Sequence, residues 1–400
     1  MPPASASPAI VLAATTAVQS AAALAALTLP AVAPVVAADY GVPASTAGTY
    51  IALLYVGAAL AALLAGGSGL RVGVLRLSQV AMRMCAADLL LGGASVLWIA
   101  AVAAMLLGVG YGPITPASSH ILARTVATAN RNLVFSIKQT GVPAGTALAG
   151  LLVPPLTVAY GWRVAAAVIA LICVLVALLV QPLRRHIDAD RDRAARLSLR
   201  ALGDSLRLVG RTPRLRTMAA VSFAYAGMQM CVSVFIVAYL TDEIGWTLVS
   251  AGLALTTANA AGIVGRIGWG WVADRWLTPR RTLALIGGLM AVSSGAAALF
   301  GSGWALTPVL LVCVALGASA IGWNGVYLSE VARLAPTGQA ALATGGCLFF
   351  TFVGVVVCPF LFGWLQRTSG SYALCYGVAT AACAVVAVVL GRGSEEAGAR

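Results

Sequence analysis

Residues 162–182, WRVAAAVIALICVLVALLVQP, carry a single charge, while residues 183–216, LRRHIDADRDRAARLSLRALGDSLRLVGRTPRLR, carry ten arginines against four aspartates. The first stretch matches the ~20 apolar residues that cross a bilayer. The second is too charged to enter hydrocarbon and has to lie in water beside it. An apolar run that stops abruptly at a basic loop is the pattern of a helix leaving a membrane.

The same pattern extends in both directions. Hydrophobic residues make up 60% of the 400 positions and charged residues 9%, against about a quarter charged in a soluble domain. Apolar stretches are read near 9–36, 44–66, 75–95, 97–123, 132–157, 162–182, 217–240, 247–269, 281–300, 304–329, 340–365 and 371–391. The predicted fold is an all-α membrane protein with 12 transmembrane helices in two six-helix bundles. The expected divisions are an N-terminal bundle at 1–182, a basic cytoplasmic linker at 183–216, a C-terminal bundle at 217–391 and a cytoplasmic tail at 392–400.

A net charge of +13 raises nucleic acid as a partner, but its distribution points to the bilayer. Arg71, Arg76, Arg124, Arg131, the linker arginines, Arg275, Arg280, Arg281, Arg333, Arg392 and Arg400 all fall on one side of the predicted spans. Asp39, Asp242 and Glu243 fall on the other. Positive loops stay inside, so both termini are expected in the cytoplasm and the protein in a plasma membrane, the inner membrane of a bacterium. The eight cysteines stand in apolar segments without a CxxC pair, as small buried hydrophobes rather than a disulfide frame or metal site. Two histidines and no HExxH, GxSxG or Walker A pattern leave no basis for an enzyme, a metal or a cofactor. A sensor built like a carrier is a further class open to such a chain.

The halves align at a shift of 204 residues. Gly41 meets Gly245, Gly48 meets Gly252, Gly66 meets Gly270 and Arg71 meets Arg275; Gly141 meets Gly345, Gly150 meets Gly354 and Pro155 meets Pro359. Glycine, proline and arginine matches are informative because backbone geometry or close packing demands them. A duplicated six-helix unit is a transporter architecture.

With these residues the chain resembles the major facilitator superfamily over nearly its whole length. The family's inside-loop signature, G-x-x-x-D-R/K-x-G-R-R, is seen in GWVADRWLTPRR, with Gly270, Asp274, Arg275, Arg280 and Arg281. Its first copy, GGSGLRVGVLR, keeps Gly66, Arg71, Gly73 and Arg76 but has Leu70 in place of the acid. Arg266 and Glu330 resemble the partners of the C-terminal copy. The resemblance implies an inside gate in which Asp274, Arg275, Arg266 and Glu330 lock, with Arg71 as the first-half counterpart; loop arginines enforcing topology are the plainer reading. Gly141, Gly150 and Pro155 match part of the family's antiporter pattern, while Pro154, Val158 and Ala159 depart from it.

Lys138, in FSIKQTGVPAG (135–145), is the only lysine of the chain. It lies about seven residues past Arg131, on the order of 10 Å into the span at 1.5 Å per residue. Intramembrane charges usually face a cavity or a partner; a lysine at this depth is also able to snorkel to the inner headgroups. In the resembling family this helix borders the solute cavity, which makes Lys138 a candidate for a small anion. Gln139 is turned about 100° from it. Gln19, Tyr55, Tyr111, Tyr225, Gln229, Asn259 and Asn324 are the other expected solute-binding residues. Asp88, the one acid deep within a span, and His120 are candidates for proton coupling. The expected function is secondary active transport of a small solute by alternating access: uptake of a small carboxylate with protons, or export of amphipathic compounds by a proton-coupled carrier. A monomer is expected.

Overall fold

The computed structural model describes residues 7–43, 46–188 and 200–392. Residues 189–199 of the predicted linker and 393–400 of the predicted tail lie outside the described residues, as do the side chains of Gly66 and Leu70. Among the described residues the regular structure is helical throughout, and ten helices are long and apolar enough to cross a membrane. Helices α4 (Val74–Gly92) and α13 (Leu248–Arg275) stand outside that set. Each of the twelve predicted stretches corresponds to helix, but several are broken. The first divides into α1 (Pro8–Ala31) and α2 (Ala33–Tyr40), with Pro30 inside α1 and a proline in the first turn of α2. Proline removes a backbone donor and crowds the preceding turn, which is why the break falls here.

The chain forms two compact units, and neither is contiguous in sequence. Unit 1 comprises Met1–Val126, Lys138–Arg216 and Val331–Phe349; unit 2 comprises Ala127–Ile137, Thr217–Glu330 and Phe350–Arg400. Two short segments are thus packed with the opposite half of the sequence, and the linker helix is packed in unit 1. A division by sequence alone at 182 and 217 does not capture this, because helix ends are allotted by packing.

Unit 1 contains α1 to α6, with α3 at Thr46–Val72, α5 at Leu97–Tyr111 and α6 at Ile114–Thr125, then α8 (Gly141–Tyr160), α9 (Trp162–Leu179) and the short α10 (Arg184–Ile187). Small residues bring its helices together. A Cβ at Gly145 of α8 would strike the Ser20 carbonyl, with Ala23 Cβ at 2.7 Å and Leu24 N at 2.8 Å. A Cβ at Gly57 of α3 would lie 2.6 Å from the Met105 carbonyl of α5. Such contacts replace the hydrophobic drive that apolar helices lack in lipid. The linker helix α11 (Arg200–Arg211) buries Ser205, whose hydroxyl donates to the Leu63 carbonyl at 2.8 Å.

Unit 2 contains most of α12 (Pro213–Ala238), then α13, α14 (Pro279–Ala298), α15 (Leu306–Leu316), most of α16 (Asn324–Leu334), the later part of α17 (Ala340–Ser369) and α18 (Tyr372–Arg392). A π-helical segment at Gly317–Ile321 follows α15. An aromatic stack centred on Tyr239, with Tyr372 at 5.3 Å and Tyr376 at 5.5 Å between centroids, closes one end. Gly41 (φ +66°) and Gly245 (φ +82°), partners under the 204 shift, both take the left-handed conformation that a side chain disfavours. Val158 is 89% exposed in unit 1 and Val292 71% in unit 2. Large apolar side chains turned outward belong against lipid.

Candidate functional site

The predicted span at 132–157 is interrupted at Thr140, between α7 (Arg131–Gln139) and α8. Lys138 sits in the last turn of α7 and is 1% exposed. Its ammonium donates to Gln19 Oε1 on α1 at 2.8 Å, to Gln139 Oε1 at 2.9 Å and, at the limit of bonding distance, to Thr115 Oγ1 on α6 at 3.5 Å. Thr115 in turn donates to Gln19 Oε1 at 3.0 Å. The nitrogen is therefore seated inside unit 1 with three uncharged oxygens among its partners. Amide and hydroxyl oxygens solvate an ammonium without neutralising it. Lys138 and Gln139, about 100° apart around the helix, meet because both side chains are long enough to converge where the helix breaks. Tyr55 and Tyr111 lie edge-on in the same unit, with centroids 6.5 Å apart.

Unit 2 has its own polar cluster. The Trp323 indole N–H and the Asn324 amide each donate to Gln229 Oε1 at 3.2 Å. Tyr225 stands edge-on to Trp323 at 5.6 Å, but its hydroxyl is committed to the Leu283 carbonyl at 2.8 Å and the ring is fully buried. Tyr225 therefore supports the cluster as it stands. Asn259 is exposed and bonds its own helix at Leu255 O, 3.0 Å.

Of the predicted gate residues, Asp274 and Arg275 are placed differently from the expected lock. Asp274 does not engage Arg275, which is exposed and forms no ion pair among the described residues. It caps the start of α7: its carboxylate accepts from Asn132 N at 3.1 Å, Asn132 Nδ2 at 2.7 Å and Leu133 N at 2.8 Å. These backbone donors are the ones a helix N-terminus leaves unmet. Beside them Ser136 fills the space over Gly270, where a Cβ would come within 2.7 Å of Ser136 Cβ. Arg266 is 2% exposed and its Nε donates to Ile321 O at 2.9 Å; Glu330 is equally buried. Arg71 is exposed.

Two contributors escape a reading by motif. Asn132 is one. The other is Asp188, whose carboxylate caps α4 by accepting from Leu75 N at 2.8 Å and Arg76 N at 3.1 Å. It lies against Gly73, which has φ +99° and leaves no room for a side chain. Asp188 supplies an acid at the start of α4, although position 70 has none. Its signal in the sequence, an acid shortly after the sixth span, was submerged in a charge-rich loop.

Asp88 on α4 is fully buried, with Oδ2 accepting from the Tyr50 hydroxyl at 2.9 Å. His120 is buried in α6.

The profile of the Major Facilitator Superfamily matches residues 14–348. The chain belongs to this superfamily. It is an integral membrane protein. Solved members share the fold: the human organic anion transporter MFSD10 (TETRAN) superposes with a TM-score of 0.78 at 14% identity, covering 98% of this chain and 100% of that one. The E. coli FucP transporter in an outward conformation gives 0.78 at 18% identity, covering 96% and 99%. By sequence, the gallate transporter of Pseudomonas putida is 28% identical over 310 residues, 67% of this chain and 66% of its own. The benzoate transport protein of Acinetobacter baylyi is 23% identical over 288 residues, 65% and 61%. Monocarboxylate transporter 13 of Rattus norvegicus is 32% identical over 149 residues, 37% and 34%. The matched stretches thus span from about a third to two-thirds of these relatives' lengths.

Proposed function

We propose that this superfamily member takes up a small monocarboxylate, aromatic in body, together with a proton. The observation that carries the reading is the Lys138 ammonium, buried and held by Gln19, Gln139 and Thr115. A buried ammonium held in place by amide and hydroxyl oxygens can serve as a point anchor for a carboxylate, and lysine suits this role as a compact charge. Relatives named for gallate, benzoate and monocarboxylates support the solute class. The two units would be the rocking bundles of a 12-helix carrier, working as a monomer in a bacterial inner membrane with both termini cytoplasmic. Export is the weaker reading. Gly141, from the partial antiporter pattern, is accounted for by its contact with α1, where a Cβ would meet the Thr16 carbonyl at 2.9 Å.

The test is uptake of labelled benzoate, gallate and a neutral sugar into vesicles, with and without an inward proton gradient. A charge-assisted hydrogen bond contributes about 1.5–3 kcal/mol, so Lys138→Ala should raise the apparent KM for the acid by roughly 10- to 150-fold. Lys138→Arg should retain part of the affinity. Equal benzoate kinetics in wild type and both variants would end the anchoring role of Lys138. Carriage of the sugar alone would end the carboxylate reading.

A further inference from the structure

Asp88 is used by nothing described so far. It is fully buried in α4, and its carboxyl has one hydrogen bond, from the Tyr50 hydroxyl to Oδ2 at 2.9 Å. Its second oxygen, Oδ1, is buried and has no hydrogen-bond partner among the described residues. Every element packed around it offers uncharged groups. Helix α1 carries no titratable side chain. From α2 comes Tyr40, from α3 Tyr50, from α4 itself the buried thiol Cys85 and from α9 the buried thiol Cys173. Helix α5 has only Tyr111, edge-on to Tyr55, and α6 has His120 in the half of the helix towards Arg124. The arginines of α4, Arg76 and Arg83, are exposed. Arg163, at the start of α9, is bound to Asp39 at 2.6 Å and to the Gly93 carbonyl.

A carboxylate left with one neutral donor in such a place is costly, and the group avoids that cost by carrying a proton. Beside it lies room for a second arrangement. Tyr50 forms part of the wall of an apolar crevice of about 280 Å³, lined also by Leu29, Pro30, Val36, Leu53 and Leu97. Rotation of the phenol into this space would leave the carboxyl uncovered.

Resting on the uptake reading above, we infer that Asp88 is the proton-carrying group of the transport cycle, with Tyr50 as its cover. With Tyr50 on the carboxyl, Asp88 is the neutral acid. With Tyr50 in the crevice, the O–H bond of the acid breaks and its proton passes to water, leaving the carboxylate hydrated. One proton carried with one monocarboxylate makes the cycle electroneutral. Lys138 and Asp88 are then separate devices, one for the solute and one for the proton.

The test uses the full-length protein in proteoliposomes with labelled benzoate, comparing wild type, Asp88→Asn and Tyr50→Phe. One proton per anion gives up to tenfold accumulation per unit of pH gradient, since each unit is worth about 1.4 kcal/mol. Asp88→Asn should abolish gradient-driven accumulation while leaving benzoate counterflow, which requires no net proton movement, within about twofold of wild type. Tyr50→Phe should keep accumulation and shift its pH dependence. Accumulation by Asp88→Asn at the wild-type level overturns the inference. A solute-free measurement stands beside this one: infrared spectra of the wild type should contain the carbonyl stretch of a protonated carboxylic acid, bleached at alkaline pH and absent in Asp88→Asn. Its absence from the wild type also overturns the inference. A wild type inert to benzoate would refute the uptake reading, and the infrared band would still decide whether Asp88 binds a proton.

Discussion

The cap that Asp274 places on α7 can be perturbed with a calculable effect. Its carboxylate holds two backbone N–H groups, Asn132 at 3.1 Å and Leu133 at 2.8 Å, and the Asn132 side-chain amide at 2.7 Å. Replacing a capping acid by alanine costs about 0.5–2 kcal/mol, and the third, charge-assisted bond adds about 1 kcal/mol after partial solvation. Asp274 is half-buried, so water recovers some of the loss. The net expectation for Asp274→Ala is about 1–2.5 kcal/mol, roughly a 5- to 70-fold change in the local opening equilibrium. Asp274→Asn keeps an accepting oxygen but not the charge, and should lose about 1 kcal/mol, some fivefold. Amide hydrogen exchange followed by mass spectrometry reads this directly, because exchange of held amides scales with the opening equilibrium. Peptides covering 131–137 should exchange faster by those factors, with α9 unchanged. Equal exchange in Asp274→Ala and wild type would refute the capping argument. Acceleration spread evenly over both units would mean general unfolding and refute it too.

Other substitutions probe separate links. Gly145→Ala drives a methyl group into the Ser20 carbonyl and Ala23; overpacking of this kind costs about 1–3 kcal/mol and should shorten the half-life of the detergent-solubilised protein. Asp188→Ala exposes the Leu75 and Arg76 amides and should destabilise the start of α4 by about 0.5–2 kcal/mol, seen as faster exchange at 74–78. Ser205→Ala removes a buried bond to Leu63 worth about 1 kcal/mol, and should free the linker helix to limited proteolysis at lower protease concentration. At the far end of α2, the Ser95 hydroxyl and then Arg163 hold the Asp39 carboxyl below its ordinary 3.8. A lowered value means that the tie is complete above that ordinary value and is lost as pH falls below it. Asp39→Asn should therefore lower the melting temperature at neutral pH and flatten its fall below about 4, where variant and wild type converge.

Much of the architecture was legible from residue order because the bilayer imposes simple rules. Hydrocarbon thickness sets the length of an apolar run, and charge cannot remain inside it unaided. The stretch at 162–182 and its basic continuation therefore announced a membrane helix and its end. The 204-residue repeat was legible for a similar reason: Gly41 and Gly245 both hold backbone angles that other residues avoid. Lys138 was conspicuous as the single lysine.

Tertiary structure alone decided what that lysine touches. Gln19 is 119 residues away from it and Thr115 23 away. In helices apolar on nearly every face, periodicity does not say which side meets a neighbour. Packing also committed the Tyr225 hydroxyl to a carbonyl, turned Asp274 from a partner of Arg275 into a helix cap, and brought Asp188 to the start of α4. Each outcome depends on the distance between groups remote in the chain, to the tenths of an ångström at which hydrogen bonds form or fail. Hydropathy and repeats carry no record of such distances.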